Sequence, residues 1–536
     1  TFGVPLAIST STADAGAAAI RSGNEDDMLG NSGDLTADAD ATAVTVNLAV
    51  TGAGVAGAGD SVWDGGTKAL ATSVGMDALS GEDNIHNRGA IDVDADAVTS
   101  SNSVAFTVAG VAGAVSTSTA TADAEAISGG DGDDIMHNEG ALDSTANATA
   151  VSVSFAASGA GAAIAADAVW DGGTTAQVDA AGLDGGQGND HIQNTAAVSA
   201  SANSAASSNS VAMTVAGVSG ATSTSTSTAA ATAIDAGEGD DTIINSGDLT
   251  GTADADATSV SVAVTGMGAA VATDAFWDGG TQAAATGRGI SGGSGEDTIT
   301  NTASITAAAD SRTTSAAIAA SVGGGIAGAM AASTSTANAT AIDAGDDDDR
   351  VQNDGDLTAT AIAEANGVSV AVTTVGASRA GSLDSATTGN ALAIGIAGGD
   401  GEDTLTSSET SSMTLNVSAT TTETAVGVTA LGGFADATAN AIAIAEGIAI
   451  DGGADSDNIV NAGDIEATVA AVANSQAVSF TLAGAAVADA NSESHATATG
   501  LAGGDGADTI ANSGSIALTA TADAEGQSIA GTLAGF

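Results

Sequence analysis

Gly129-Gly130-Asp131-Gly132-Asp133-Asp134-Ile135-Met136-His137-Asn138-Glu139-Gly140 decides the fold of this chain, because the chain repeats it. The stretch recurs closely at 292–303 and 236–247, and in seven looser copies. Its Asn returns at Asn31, Asn87, Asn138, Asn194, Asn245, Asn301, Asn353, Asn461 and Asn512, with Ser407 in the remaining copy. The first steps are 87 − 31 = 56 and 138 − 87 = 51, and the later ones stay between these values. Four residues before every anchor stands an aspartate: Asp27, Asp83, Asp134, Asp190, Asp241, Asp297, Asp349, Asp403, Asp457 and Asp508. Two residues before it the side chain is always apolar, from Leu29 and Ile85 to Ile510. Another apolar row follows four residues after it, except near Ser407, where Met413 sits two places late. Ten copies in tandem predict one solenoid over residues 1–536, not a string of globular domains.

Between the loops the sequence alternates with period two, as in Leu35-Thr36-Ala37-Asp38-Ala39-Asp40-Ala41-Thr42-Ala43, which is strand patterning. In Val44-Thr45-Val46-Asn47-Leu48-Ala49-Val50 the apolar residues move to even numbers, and this flip predicts a corner or bulge there. A third run, such as Ser116 to Ala124, leads into the next glycine-rich loop. Helix is the competing reading because alanine favours it, but Gly, Thr, Ser and Val are interspersed and no 3.6 period organises the apolar positions. The expected fold is all-β: a single elongated solenoid of the parallel β-helix or β-roll type. It has ten coils of 51–56 residues with three straight sides each, and an amide ladder along the Asn row.

Composition sets the interior and the partners. Aromatics are 2% of the chain and most of the apolar 43% is alanine, so the core must be thin and lined by small side chains. A net charge of −59 with seven Lys plus Arg excludes nucleic acid and anionic membrane as partners and makes cations the natural counterpart. Self-repulsion on this scale suits a saline or calcium-rich setting, outside the cell or on its surface. There is no Cys, hence no disulfide or thiolate site, and no apolar run of membrane-spanning length. The start, Thr1-Phe2-Gly3-Val4, reads as a processed product or a piece of something longer. No catalytic constellation or small-molecule pocket is legible. The four His lack a common register, and a carboxylate repeated ten times is a surface or metal edge, so no enzyme is expected.

The loops Gly185-Gly186-Gln187-Gly188-Asn189-Asp190-His191-Ile192 and Gly398-Gly399-Asp400-Gly401-Glu402-Asp403-Thr404-Leu405 resemble the calcium-binding nonapeptide of RTX proteins, the haemolysin-type repeats. Glycines free backbone carbonyls and the Asp supplies a carboxylate, a ligand set suited to a hard cation. The resemblance implies calcium between loops stacked on one edge of a parallel β-roll, with the ten anchor aspartates as candidate ligands. It covers one loop per coil, where RTX proteins repeat the nonapeptide end to end. Gly345-Asp346-Asp347-Asp348-Asp349 and Gly453-Ala454-Asp455-Ser456-Asp457 are among the degenerate copies. The other reading of the same loop is a structural turn in which the Asp caps its own backbone.

Trp63, Trp170 and Trp277 recur at 170 − 63 = 107, or two coils, each opening a Trp-Asp-Gly-Gly-Thr insertion. Each is either a lid over the coil's corner or an anchor for a neighbouring chain. Threonine runs such as Thr117, Thr119 and Thr121 resemble ice-binding surfaces, but residues such as Leu70 interrupt the array. The last residues match 478–485 and the first match the part of the coil that follows, so one molecule's end is expected to complete another's beginning; a window of a giant repeat protein gives the same phase match. Phe2 and Phe536, at those ends, join the tryptophans as expected interface residues. The expected function is a structural subunit of an extracellular filament, sheath or surface layer, assembling with itself head to tail and stiffened by calcium. The alternatives are the calcium-rigidified stalk of a bacterial adhesin and an ice-binding solenoid.

Overall fold

The computed structural model describes residues 2–60, 66–167, 173–274, 280–381 and 386–534. Among these there is no helix, and the strands join two parallel sheets of 23 and ten strands. The protein is a parallel β-solenoid in which each residue pairs with its counterpart one coil away, as when Asn138 meets Asn87 and Asn194. The insertion near Ser407 is absorbed in the turn, so that Met413 lies level with Leu357 and Ile465.

The three sides of a coil are unequal. A four-residue short side, Asn84–Asn87, is followed by a strand of 25 residues, Ile91–Val115, and then by Ser118–Asp131. The long strand turns back on itself at a glycine. Gly54, Gly110, Gly161, Gly217, Gly268, Gly325, Gly376, Gly433 and Gly484 stack at this corner, all with positive φ. A Cβ on Gly110 would lie 1.9 Å from the carbonyl oxygen of Gly54, so side chains are excluded from the row. Each coil is therefore flat, with an outbound wall, a return wall and the short side closing one end.

The walls lie close together. Cβ atoms on the inward-facing Gly251 and Gly287 would come within 2.0 Å of Arg288 O and 2.2 Å of Ala308 O, backbone atoms across the core. Alanine fills most of this gap, and only near the short side is there room for Ile85, Met136, Ile192 and Ile243. Serine and threonine form a polar seam between two alanine clusters. Ser116 Oγ lies 2.7 Å from Ser154 Oγ, and Ser223 Oγ lies 2.8 Å from Ser261 Oγ.

No corner occurs at Val44–Val50. Burial alternates without a break from Ala37 to Thr51 along one straight strand, so Ala43, Thr45, Asn47 and Ala49 point inward and Val44, Val46, Leu48 and Val50 point to solvent. The expectation failed because it placed the larger apolar residues inside, where the narrow gap admits only small ones. The outward row that starts at Leu48 continues as Val104, Phe155, Val211, Val262, Ile318, Val370, Val426, Val478 and Ile529, apolar in all ten coils.

The amide ladder is present. Asn87 Nδ2 donates to Asn138 Oδ1 at 2.9 Å, Asn138 to Asn194 at 2.8 Å and Asn194 to Asn245 at 2.8 Å, all buried. The second amide hydrogen closes the following turn, as from Asn245 Nδ2 to Gly247 O at 2.9 Å. At Ser407 the row changes partners, and Ser407 Oγ pairs with Ser411 Oγ inside the inserted turn. Asn245→Ala strands a buried acceptor on Asn301 and a buried donor on Asn194, and should cost about 2–4 kcal/mol in chemical denaturation. Ser407→Ala should cost about 1 kcal/mol or less; equal losses in the two variants would show that the amide ladder contributes nothing special.

Candidate functional site

The glycine-aspartate loops stack into one edge of the solenoid, and each part of the motif has a separate physical task. The second glycine, such as Gly130 or Gly186, has positive φ and lies directly on a carbonyl of the coil before, with 1.9 Å from a would-be Cβ to Leu79 O or Gly130 O. The third, such as Gly132 or Gly188, also has positive φ. In two degenerate copies Asp347 and Asp455 take this place at φ 80° and 70°, a conformation that aspartate tolerates better than most residues. The first glycine makes room for the anchor carboxylate. A Cβ there would fall 2.6 Å from Asp134 Oδ2 at Gly129, 2.5 Å from Asp190 Oδ2 at Gly185, and 2.4 Å from Asp403 Oδ2 at Gly398.

All ten anchor aspartates fall into one file. The backbone N–H of each donates to Oδ1 of the next: Asp27 to Asp83 at 2.6 Å, Asp83 to Asp134 at 2.7 Å, Asp134 to Asp190 at 2.7 Å and Asp190 to Asp241 at 2.6 Å. The chain continues from Asp241 to Asp297 and Asp349, then to Asp403, Asp457 and Asp508. The Asp thus caps the backbone of the adjacent coil, where the turn reading had it cap its own. Its second oxygen is left over. Oδ2 of Asp83, Asp134, Asp190, Asp241, Asp297, Asp349, Asp403 and Asp457 is buried without a hydrogen-bond partner. At the exposed N-terminal end of the file, Asp27 Oδ2 accepts the N–H of Gly23 at 3.0 Å.

Burial is the main cause that drives these carboxyl groups upward in pKa, opposed by the N–H each accepts and reinforced by neighbouring aspartates. Asp134, Asp297 and Asp403 rise to about 6, Asp190 and Asp241 to about 7, and Asp349 to about 8; Asp83 and Asp457 also rise. The orphaned oxygen, its charge and its glycine-lined niche suit a hard cation or a proton. The donors are spread one per coil: among the described residues no three His, Asp or Glu side chains converge on a common metal position.

Other acids were not found by sequence reasoning. Asp60, Asp167 and Asp274 are buried in the polar seam of alternate coils. Asp167 accepts the Thr174 N–H at 2.8 Å and hydroxyls of Ser152 and Thr174, and Asp274 repeats the pattern with Thr281 and Ser259. Each closes the base of one tryptophan insertion, and each stands three residues before its Trp at the same spacing, 167 − 60 = 107, so the signal was available. In a later coil, which has no Trp, Glu423 takes the corresponding place from the opposite wall, bonded to Thr387 over Gly367, whose missing side chain leaves the space. Burial lifts Glu423 to about 8 and Asp167 to about 6.

Trp63, Trp170, Trp277 and Phe536 lie outside the described residues. The backbone of Phe2 pairs with Ala53. His86, His137 and His191 sit on the outer face of the short-side sheet, where His86 and His137 share a column and His191 lies two places off it, with successive ring centroids 5.9 and 6.3 Å apart. The threonine rows face outward, apart from the buried Thr117, and are interrupted by Lys68, Leu70, Gln177 and Gln282 in the same columns.

Fold and ladders define a parallel β-solenoid repeat protein. Compared with protein families, curated proteins and solved structures, the chain matches none.

The raised pKa values give a signed prediction. A carboxyl group that is higher in the folded than in the unfolded chain binds more protons when folded, so stability falls as pH rises from about 4 through the folded value. The cation-free rod should therefore melt higher at pH 5 than at pH 8, with the decline spread between about 4 and 8. Asp190→Asn, which keeps an oxygen acceptor and removes one charge, should flatten part of this slope. Thermal unfolding followed by circular dichroism reads both, and a midpoint that does not fall between pH 5 and pH 8 would contradict the burial argument.

Proposed function

We propose that the chain is a structural subunit of an extracellular filament, sheath or surface layer, built by stacking coils of one chain on coils of the next and stiffened by calcium along the aspartate edge. The supporting observation is the unbroken in-register stack: from Asn31 to Asn512 each coil presents its neighbour with the same backbone ladder and nearly the same side-chain rows. A second chain set on the first would repeat a contact that the chain already makes with itself coil after coil. Nothing but this repetition is needed for growth in one direction.

Calcium enters through the unpaired Oδ2 atoms of Asp83, Asp134, Asp190, Asp241, Asp297, Asp349, Asp403 and Asp457. The cation supplies positive charge where burial and like-charge neighbours penalise the carboxylates, and loop carbonyls would complete its oxygen shell. A net charge of −59 agrees with a setting rich in salt or divalent cations.

Cryo-electron microscopy of the purified chain in millimolar calcium tests the reading. Filaments with an axial rise near ~48 Å, ten coils at ~4.8 Å each, are the expected outcome. Discrete rods of about that length with no continuation would sink the filament and move the assignment to a stalk held within a longer adhesin. Chelation should lower the melting temperature at pH 8 and have little effect at pH 5, where protons replace the cation; equal effects would remove calcium from the proposal.

A further inference from the structure

The solenoid is two-sided in a way that its composition hides. Acidic side chains occupy the half of each coil next to the loops, such as Asp38 and Asp40 on the outbound wall and Asp123 and Asp179 on the return wall. The half next to the glycine corner is uncharged. In the first six coils no Asp, Glu, Lys or Arg occurs in 44–59, 100–115, 151–166, 207–222, 258–273 or 314–330. Higher up, Arg379 and Asp436 occupy one column and face each other, Nε to Oδ2 3.8 Å, Glu423 is buried between the walls, and Glu525 stands at the edge of this half in the column of Val44. Nearest the corner, the outward columns of the outbound wall that start at Leu48 and Val50 carry only Val, Ile, Leu, Met, Phe, Ala or Gly, and the next, from Gly52 to Leu533, is broken only by Thr374; one column further from the corner, Asn102, Asn209, Thr424, Gln476 and Gln527 interrupt the row of Val46. Leu48 is 61% exposed, and Phe106 packs on Phe155 with ring centroids 5.4 Å apart.

Strand propensity does not explain the choice. Threonine satisfies the same backbone preference and is used elsewhere on the outer face, as at Thr36, Thr306, Thr358 and Thr424, but in no coil of the columns that start at Leu48 and Val50. Nor does the core, because the inward neighbours of these residues already fill the narrow gap. Ten coils at ~4.8 Å and the six outward and inward positions that span the three columns nearest the corner at ~3.3 Å give a strip of about 950 Å², above the apolar patches usual on monomers and above the ~800 Å² each partner buries in a stable complex.

We infer that this apolar wall is a lateral interface that takes the same wall of a second copy of this chain. The wall keeps one column apolar through all ten coils, and a second solenoid has the same length and the same coil spacing. Two chains of this charge can approach closely only where neither carries charge, and wall-to-wall contact leaves both carboxylate edges on the outside. The inference is independent of end-to-end growth.

The test uses the absence of native cysteine. Val262→Cys, near the middle of the wall, should give disulfide-linked dimers under mild oxidation, while Thr250→Cys on the acidic half should not. Sedimentation velocity in high salt should show a dimer for the unmodified chain. The triple variant Val211→Glu, Val262→Glu, Ile318→Glu should be monomeric, its dissociation constant raised roughly 100-fold or more, with an unchanged circular dichroism spectrum because all three side chains lie outside the core. End-to-end stacking joins first coils to last and keeps the residues at 262 a chain length apart, so the cross-link reads the wall contact alone. A monomeric unmodified chain with no link at Val262→Cys overturns the inference, as does a monomer that instead floats with neutral phosphatidylcholine vesicles through the same wall.

Discussion

Parallel stacking in register puts every side chain about 4.8 Å from its own counterpart in the next coil, and the rest of the structure follows from which residues tolerate that. An amide does, because it donates and accepts in the same direction, and the row from Asn31 to Asn353 is a chain of such bonds. Alanine does, because it only packs. A carboxylate does not, since its nearest neighbour is another carboxylate. The chain handles this in two ways. At the anchor row each Asp takes a backbone N–H, which leaves one oxygen unsatisfied and the pKa high. In the seam the acids are diluted: Asp60, Asp167 and Asp274 alternate with Ser116 and Ser223 along one column, so like charges stand about 9.6 Å apart in place of 4.8 Å.

The second constraint is the distance between the walls. With opposing backbone within reach of a Cβ, size decides what faces inward, and hydrophobicity does not. Ser152, Ser208 and Ser259 are buried in the same straight strands whose outer faces carry Val153, Val211 and Val262. An isolated coil has too little apolar volume to hold itself together, so cohesion comes from the hydrogen-bonded ladders between coils, which makes the solenoid stiff along its axis and each coil dependent on the coils beside it.

These two constraints explain what could be read from sequence. The period, the anchor file, the inward rows beside the short side and the amide ladder all depend on stacking of like on like, and repetition in one sequence displays that directly. The displaced Met413 was legible for the same reason. The corner was misplaced because Val44, Val46, Leu48 and Val50 were assumed to be core. That assumption holds for a globular interior and fails for a gap one alanine wide. Asp60, Asp167 and Asp274 went unseen because an isolated Asp beside a glycine-rich insertion looks like ordinary turn chemistry; only their shared column with Ser116 and Ser223, inside the seam, reveals them as core residues.

The anchor row also allows a comparison among the ten coils of this one chain. If capping the adjacent backbone were its whole task, one oxygen acceptor would suffice, and an amide supplies one without a charge. The loop accepts such exchanges one position earlier, where Asp133 is followed in the stack by Asn189 and Asp240, and where Ser456 and Ala507 also occur. At the anchor itself all ten coils keep Asp, with no Asn among them. An asparagine there would bury an unpaired NH2 at a cost of about 1–3 kcal/mol, whereas a bare carboxylate in the same niche costs more unless something positive meets it. Retaining the costlier group in every coil favours a row that is neutralised in use, by protons or by the proposed calcium, and the exposed acids around it, such as Asp131, Asp240 and Glu402, would raise the local concentration of either.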